Sequence, residues 1–223
     1  MASLQLFDQL LQFPLFLGMS REDLHLVAGH TKFDFQKIEA GNVFIKADSV
    51  CNKLCFLLSG MVTAYAQADD GSYALYEQLS APMMLQPEAL FGYHQRYTHS
   101  FRTVITSNLL YVDRQEVVRL TEQFLVFRIN LLNLLATQTQ KLLHLPWRQS
   151  PNSLQGRIVR FIAQHCLYPA GYKNLYILMT RLADEIGDSR LDISRSLNAM
   201  QRQGLIILHR GRIEIPQMER LLM

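Results

Sequence analysis

The chain has 223 residues, 49% of them hydrophobic, which is enough for one or two domains with a packed core. Its 22 Lys and Arg exceed its 19 Asp and Glu only slightly, and with 18% charged residues the composition excludes a disordered chain. No apolar run of about 18 residues occurs, and the apolar N-terminus lacks the basic start of a signal peptide, so we expect a cytoplasmic protein with no membrane contact.

Two short helices are predicted at the N-terminus. Leu4, Phe7 and Leu10 share one helical face, and Pro14 ends that helix. The stretch SREDLHLVAGH then predicts a second helix, with Ser20 as its N-cap.

From residue 31 to residue 112 the hydrophobic pattern changes to that of strands. Runs such as VFIKA, KLCFLLSG, MVTAYAQ and YALYEQL alternate with turn residues. The Asp-Gly pair in ADDGS supplies the positive φ angles of a tight hairpin, and Ser59–Gly60 marks another break. This spacing predicts an all-β barrel or sandwich of about 80 residues.

The three cysteines indicate neither a disulfide framework nor a metal site. Cys51 and Cys55 are four apart, and on a strand they would lie about 13 Å from each other, too far to share a metal ion. No second pair accompanies them, and Cys166 stands apart. We therefore expect free or structural thiols and no metal.

A long helix follows the β segment. One stripe, with spacings of three and four residues, comprises Phe124, Phe127, Leu131, Leu134, Gln138, Lys141 and Leu145. A second stripe comprises Leu125, Leu132, Leu135 and Leu142. A helix that is apolar over so wide an arc has two surfaces to bury against, which favours its own β domain and a second copy of the chain. The alternative is a long core helix in a monomer. Pro146 and Pro151 mark the boundary after it.

The last third of the chain is basic. From Trp147 to the end it holds 11 Lys and Arg against 6 Asp and Glu, a net charge of +5, which points to a polyanionic partner. A helix from Leu154, an apolar run YILM and two further helices are predicted there, followed by LIILHRGRIEIP, a hairpin with a basic tip.

The last two helices fit a helix-turn-helix. Leu182, Ala183 and Ile186 face inward, and Gly187 permits a sharp turn. The residues that pack back onto the first helix are Ile193, Leu197 and Met200. The outer side then carries Arg190, Asp192, Ser194 and Arg195. Arginine suits base reading because its planar fork donates two bonds to guanine, and the hairpin tip would act as a wing beside the phosphates.

In this order of elements the chain resembles the superfamily of the cyclic AMP receptor protein and the fumarate–nitrate regulator (Crp/Fnr), bacterial transcription regulators. The stretches that carry the resemblance are EAGNVFIKADSVCNKLCFLLSGMVTAY and MTRLADEIGDSRLDISRSLNAMQRQGLIILHRGRIEI. The resemblance implies an α+β fold: a cyclic-nucleotide-binding-like β-roll (a double-stranded β-helix) over 1–121, a dimerisation helix over 122–146 and a winged helix-turn-helix over 147–223.

The resemblance also implies a homodimer on a palindromic operator of double-stranded DNA. The family pattern S-R-x-x-V-x-R is occupied by Ser189, Arg190, Ile193 and Arg195, and Leu191 replaces the glutamate of the cyclic AMP receptors. The predicted DNA-binding residues are Thr180, Ser189, Arg190, Asp192, Ser194, Arg195, Arg210 and Arg212. The predicted dimer interface comprises Phe124, Phe127, Leu131, Leu134, Gln138 and Leu145. RNA polymerase is a further candidate partner.

The effector site departs from the family pattern. Glu88 matches the family glutamate, but Pro87 stands where glycine is usual, Tyr97 replaces the arginine, and Thr98 keeps a hydroxyl. Arg96 is the nearby arginine that would restore phosphate binding. We therefore predict no resident cofactor, and an unidentified effector in a degenerate pocket.

Alternative effectors and activities remain open. One alternative is cyclic AMP itself, and another is haem, ligated by His94, His99 or His144. An iron–sulfur cluster is disfavoured because no cysteine precedes Cys51. A cupin-like β-barrel enzyme is the remote alternative, since no H-x-H pair or P-loop supports catalysis.

Overall fold

In the computed structural model, residues 7–147 and 149–223 are described, so Leu4 lies outside the described part. Residues 7–10 are helical and a short 3-10 helix covers Pro14–Phe16. Helix α1 spans Arg21–His30, and the Ser20 hydroxyl accepts the Asp23 amide at 3.0 Å, which confirms the predicted N-cap. No helix in the described part is long and apolar enough to cross a membrane.

The chain divides into two compact units. The first contains residues 7–62, 80–98 and 102–147, and the second contains residues 63–79, 99–101 and 149–223. The strands of the N-terminal β-roll are β1 Phe33–Ile38, β2 Val43–Ile45, β3 Lys53–Ser59, β4 Met61–Gln67, β5 Tyr73–Ser80, β6 Met83–Leu85, β7 Ser100–Thr103 and β8 Ser107–Asp113.

Within the first unit, four strands form an antiparallel sheet in the order β1-β8-β3-β6. The predicted break at Gly60 follows β3: its φ is +104°, and a Cβ there would lie 2.2 Å from the Ser107 hydroxyl oxygen. The position therefore requires glycine.

Two helices follow the roll, α2 over Arg114–Gln123 and α3 over Leu125–His144, with a 3-10 turn over Leu145–Trp147.

The core of the first unit is aromatic: the Phe13 and Phe56 rings lie 4.9 Å apart, and those of Phe16 and Phe127 lie 5.4 Å apart. The Asn130 amide of α3 donates to the backbone carbonyl of Leu17 at 2.8 Å. One side of α3 is thus attached to the N-terminal segment of its own chain.

The second unit holds the winged helix-turn-helix. Its elements are α4 Leu154–His165, β9 Lys173–Ile177, α5 Met179–Ile186, α6 Arg190–Arg202, β10 Ile207–His209, β11 Arg212–Ile215 and α7 Met218–Leu221. Its core buries Ile158, Ile162, Leu182, Ile193, Leu197 and Met200, among others.

The sheet of the second unit includes strands from the roll. Its order runs β10-β11-β9-β5-β4, so β5 pairs antiparallel with β9, from Tyr73 opposite Ile177 to Glu77 opposite Lys173. Leu75 of β5 belongs to the same buried core as the helix-turn-helix. The winged helix is therefore completed by a hairpin from a distant part of the chain.

An ion pair is buried at the end of this strand pairing. The Lys173 ammonium lies 3.0 Å from a Glu77 carboxylate oxygen, and the two side chains are 0% and 1% exposed. The ammonium also donates to the Ala170 carbonyl at 2.7 Å, and the other Glu77 oxygen accepts the Leu167 amide at 2.7 Å. Each charge is therefore paired and hydrogen-bonded, which is the condition for burying it.

We predict that Glu77→Gln lowers the free energy of unfolding by about 3–5 kcal/mol, because Lys173 is left as an uncompensated buried charge. Denaturant unfolding of the purified protein measures this. The control is Glu185→Gln, which removes a carboxylate from a partly exposed pair with Arg181 and should cost about 1 kcal/mol or less. A similar, small loss in both variants would contradict the prediction.

Candidate DNA-binding interface

The turn between α5 and α6 has the geometry expected of a helix-turn-helix. Gly187 ends α5 in the left-handed region with φ +71°. Its amide donates to the Ala183 carbonyl at 2.9 Å. Arg157 of α4 pairs with the Asp188 carboxylate and donates to the Ile186 carbonyl. The turn is therefore fixed both by the backbone and by a side chain from the neighbouring helix.

Ser189 and Asp192 form a reciprocal cap at the start of α6. The Ser189 hydroxyl oxygen accepts the Asp192 amide at 3.1 Å and donates its proton to the Asp192 carboxylate at 2.6 Å. The other Asp192 oxygen accepts from the Arg195 guanidinium at 3.3 Å. Asp192, predicted to contact DNA, thus stabilises the helix start and orients Arg195.

The opposite sides of α6 differ sharply in burial. Ile193, Leu197 and Met200 are each 0% exposed, so at 100° per residue the side directed away from the core carries Leu191, Arg195 and Asn198. Leu191 is 59% exposed. Leu191 and Asn198 are absent from the predicted DNA-binding set, although a helical projection of the sequence would have placed both beside Arg195.

The wing is the β10–β11 hairpin. His209 pairs with Arg212 across a two-residue turn, whose Gly211 has φ +72° and whose Arg210 is exposed. Arg212 lies 3.6 Å from the Glu214 carboxylate. A hydrogen bond with Tyr176 is the main cause of its raised pKa. Arg210 is therefore the freely presented arginine of the wing, whereas Arg212 is held at its base.

A groove of about 330 Å³ lies between α5, the start of α6 and the wing. Four of the predicted DNA-binding residues line it: Thr180, Arg190, Arg210 and Arg212. Its floor includes Leu178, Met179 and Leu208. The structure thus brings half of the predicted set together around one concave surface and places Ser189, Asp192, Ser194 and Arg195 on the adjoining helix.

Comparison with known families agrees with this geometry. A cyclic nucleotide-binding domain model matches residues 35–124, and a Crp-like helix-turn-helix domain model matches residues 156–223. The chain belongs to the Crp/Fnr family. It is a DNA-binding transcription regulator with the predicted β-roll and winged helix-turn-helix, which confirms the predicted family and fold class.

Solved structures share the Crp/Fnr fold. The catabolite activator protein of Thermus thermophilus is 22% identical, with a TM-score of 0.52 over 94% of this chain and 97% of its own. A Crp/Fnr-family regulator from Eubacterium rectale is 20% identical, with a TM-score of 0.52 over 94% and 96%. The sensor domain of the regulator DNR from Pseudomonas aeruginosa is 16% identical, with a TM-score of 0.54 over 68% and 98%. No curated protein matches the sequence.

Two of the predicted effector-site residues meet in this Crp/Fnr sensor. The buried Gln86 amide donates to the Thr98 hydroxyl and, at 3.4 Å, to the Glu88 carboxylate. Gln86 itself has a left-handed backbone, with φ +44°. The polar groups of Glu88 and Thr98 are therefore tied together by a side chain that was not predicted to belong to the site.

The other two predicted effector residues are engaged elsewhere. Arg96 donates to the Asp48 carbonyl and lies 3.7 Å from the Asp48 carboxylate, so its charge is already paired. The Tyr97 hydroxyl donates to the Lys53 carbonyl at 3.3 Å, and burial is the main cause of its raised pKa. Arg96, the residue that would restore phosphate binding, therefore pairs with the exposed Asp48.

The candidate haem ligand His99 is half-buried. Burial lowers its pKa to about 4, so the imidazole is neutral at physiological pH. His94 and His144 are exposed.

Cys51 and Cys55 are buried free thiols, and burial raises the pKa of Cys55 to about 12, so this thiol stays protonated.

The structure corrects two of the predicted dimer contacts. Phe127 and Leu131 are 1% and 5% exposed within their own chain, where Phe127 packs on Phe16, so they do not present a surface to a partner. Phe124, Leu134, Gln138 and Leu145 are half-buried. The predicted stripe therefore contains two kinds of position: some are buried in the core of the first unit, and the others are half-buried beside that core.

We predict that Ser189→Ala lowers the free energy of unfolding by about 1 kcal/mol, because the substitution removes the acceptor that caps the Asp192 amide. Chemical denaturation followed by circular dichroism measures the loss. Ser194→Ala provides the matched control within the same helix, and it should change stability by about 0.5 kcal/mol or less. Equal effects of the two substitutions would show that the cap does not stabilise α6.

Proposed function

We propose that two copies of this chain bind a palindromic DNA operator and read it with the start of α6. The observation that carries the proposal is the groove lined by Thr180, Arg190 and Arg210 beside the exposed side of α6. In helix-turn-helix dimers the N-terminal residues of the second helix meet base edges, and half-sites lie about 34 Å apart. The net charge of +5 on this part of the chain supports a polyanionic partner.

The chemistry of the exposed side chains suggests their roles. Arg190 and Arg195 carry planar forks suited to guanine. Leu191 lies on the side of α6 directed away from the core, and its apolar side chain suits the methyl group of thymine. Thr180, Arg210 and the N-terminus of α6 are suited to phosphates. We propose this division of labour for the predicted DNA-binding residues.

An exposed heptad stripe on α3 supports the dimer. Residues spaced by four and three along the helix are all exposed: Leu125, Ile129, Leu132, Ala136, Thr139 and Leu143. Such spacing is the seam of a coiled coil. A second α3 helix would cover this stripe and remove its apolar side chains from water.

The remaining parts of the proposal concern regulation. We propose that the effector of the β-roll is not a cyclic nucleotide, since Arg96 is paired with Asp48. The protein would act in the cytoplasm as a regulator without enzymatic activity, and RNA polymerase is a candidate partner on the promoter. The relatives that match the chain are transcriptional regulators, which supports a non-enzymatic role.

DNA selection from a random-sequence pool tests the base-reading roles. We expect a palindromic consensus, and Arg195→Ala should weaken binding to it by about 1–3 kcal/mol, because a bidentate base contact is lost. Arg190→Ala should have a similar effect at a different base pair. The same substitution at Arg202, near the C-terminal end of α6, serves as the control and should leave the consensus unchanged. Failure to select any sequence would contradict the proposed function.

Sedimentation equilibrium tests the dimer. Leu132→Glu should weaken self-association more than tenfold, because it places a charge in the middle of the proposed seam. Val118→Glu is the matched control, since Val118 is 40% exposed on α2 and lies outside the stripe. A wild-type monomer, or a Leu132→Glu dimer as strong as the wild type, would rule out the seam on α3.

A further inference from the structure

Residues 63–79, which form most of the β4–β5 hairpin, are part of the compact unit that holds the helix-turn-helix. Besides the β5–β9 pairing, the Gln78 amide donates to the Tyr172 carbonyl at 3.0 Å. The Tyr73 hydroxyl lies 3.1 Å from the His165 ring nitrogen of α4. The hairpin thus contacts the winged helix through backbone, ring and hydroxyl groups.

The tip of the hairpin carries two adjacent acids, and one of them meets the helix-turn-helix. The Asp70 carboxylate lies 3.2 Å from the guanidinium of Arg181, on α5. Arg181 also pairs with Glu185 at 2.5 Å and lies 5.9 Å from the centre of the Tyr73 ring. The hairpin therefore provides an acid and an aromatic ring around one arginine.

Arg181 is placed where DNA phosphates are expected. It directly follows Thr180 at the start of α5, and it projects away from the inward-facing side chains Leu182 and Ala183. In helix-turn-helix proteins the first helix crosses the DNA backbone. An arginine on its outer side is a natural phosphate ligand, but here carboxylates already occupy its guanidinium.

We propose that Arg181 is a further phosphate-binding residue and that the docked β4–β5 hairpin is an autoinhibitory latch which masks it with Asp70. Asp70 also brings a negative charge to a surface that must receive phosphates. Release of the hairpin removes this carboxylate and leaves Glu185 as the carboxylate paired with Arg181. This inference rests on the proposed DNA-binding function and adds a regulated state to it.

The β5–β9 pairing, and not the Asp70–Arg181 contact, holds the hairpin in the docked position. The Asp70–Arg181 pair is partly exposed, and such pairs contribute little to stability. The hairpin is held by the β5–β9 backbone pairing and by the buried ion pair between Glu77 and Lys173. Asp70 thus acts by occupying Arg181, while the distant strand residues determine how often the hairpin leaves.

An aromatic ladder connects the same hairpin to the wing. The Tyr65 and Tyr76 rings lie 4.6 Å apart, and those of Tyr76 and Tyr176 5.1 Å apart. Tyr176 in turn lies opposite Arg212 in the β9–β11 register, at the base of the wing. The docked hairpin is therefore linked through aromatic contacts to Arg212, a predicted DNA-binding residue. Arg181 and Arg212 both have intramolecular partners in this state.

A reversible crosslink tests the latch directly. Tyr76 and Asn174 face each other in the β5–β9 register, so the double variant Tyr76→Cys/Asn174→Cys should form a disulfide that locks the hairpin in place. We expect the oxidised form to bind the selected operator at least about tenfold more weakly than the same variant after reduction, since locking removes the binding-competent state. Wild-type protein taken through the same oxidation controls for its own three cysteines.

A charge variant tests the mask on Arg181. Asp70→Asn should raise operator affinity about five- to tenfold at 0.1 M salt and steepen the logarithmic salt dependence by about 0.9, the value for one added phosphate contact. Asp69→Asn removes the same charge from the neighbouring position and is the matched control. It should change affinity about twofold or less and leave the salt dependence unaltered.

The possible results separate the latch from DNA binding itself. Equal operator affinities of the oxidised and reduced crosslink variant, or tighter binding when oxidised, would overturn the latch and leave the proposed function standing. Identical salt dependences of Asp70→Asn and Asp69→Asn would overturn the assignment of Arg181. If neither wild-type protein nor any variant selects or binds DNA, the proposed function fails and the latch fails with it.

Discussion

The buried contact between Glu77 and Lys173 joins the β4–β5 hairpin to the winged helix in the second unit. A charged side chain with no exposed surface is tolerated only when it meets an opposite charge and its remaining polar atoms are hydrogen-bonded. Here the partners come from two strands that are far apart in the chain, so the pair forms only when β5 lies against β9. The same pairing places Leu75 in the helix-turn-helix core and extends the sheet of the wing.

The reading surface is organised largely by contacts among its own charged residues. Asp192 caps α6 and orients Arg195, Asp188 receives Arg157 from α4, and Glu214 holds Arg212. These exposed ion pairs add little stability individually. Their effect is to restrict the side chains that surround the groove before DNA arrives, which reduces the entropy lost on binding. Under the proposed function, Arg181 would exchange a carboxylate partner for a phosphate.

One side of the long helix α3 packs on the aromatic core of the first unit, and another side is exposed. The aromatic contacts determine which residues lie on each side. Phe127 packs on Phe16, and Asn130 is hydrogen-bonded to the N-terminal segment. This attachment sets the rotation of the helix about its axis. The stripe that begins at Leu125 is then left exposed with the spacing of a coiled coil. An apolar sequence with two stripes allows either assignment, because periodicity alone carries no information about which side meets the core.

Local chemistry in the sequence was sufficient for the fold class and for the turn of the helix-turn-helix. The Ser20 and Ser189 caps, the Gly187 turn and the alternating strands depend on neighbouring residues, so they were predictable, as was the family. Tertiary structure alone decided that Phe127 is internal, that Arg96 pairs with Asp48, and that the Asp70 hairpin joins the winged helix. Those outcomes join residues tens of positions apart, and no local pattern specifies which distant partner a buried charge or an exposed strand edge will find.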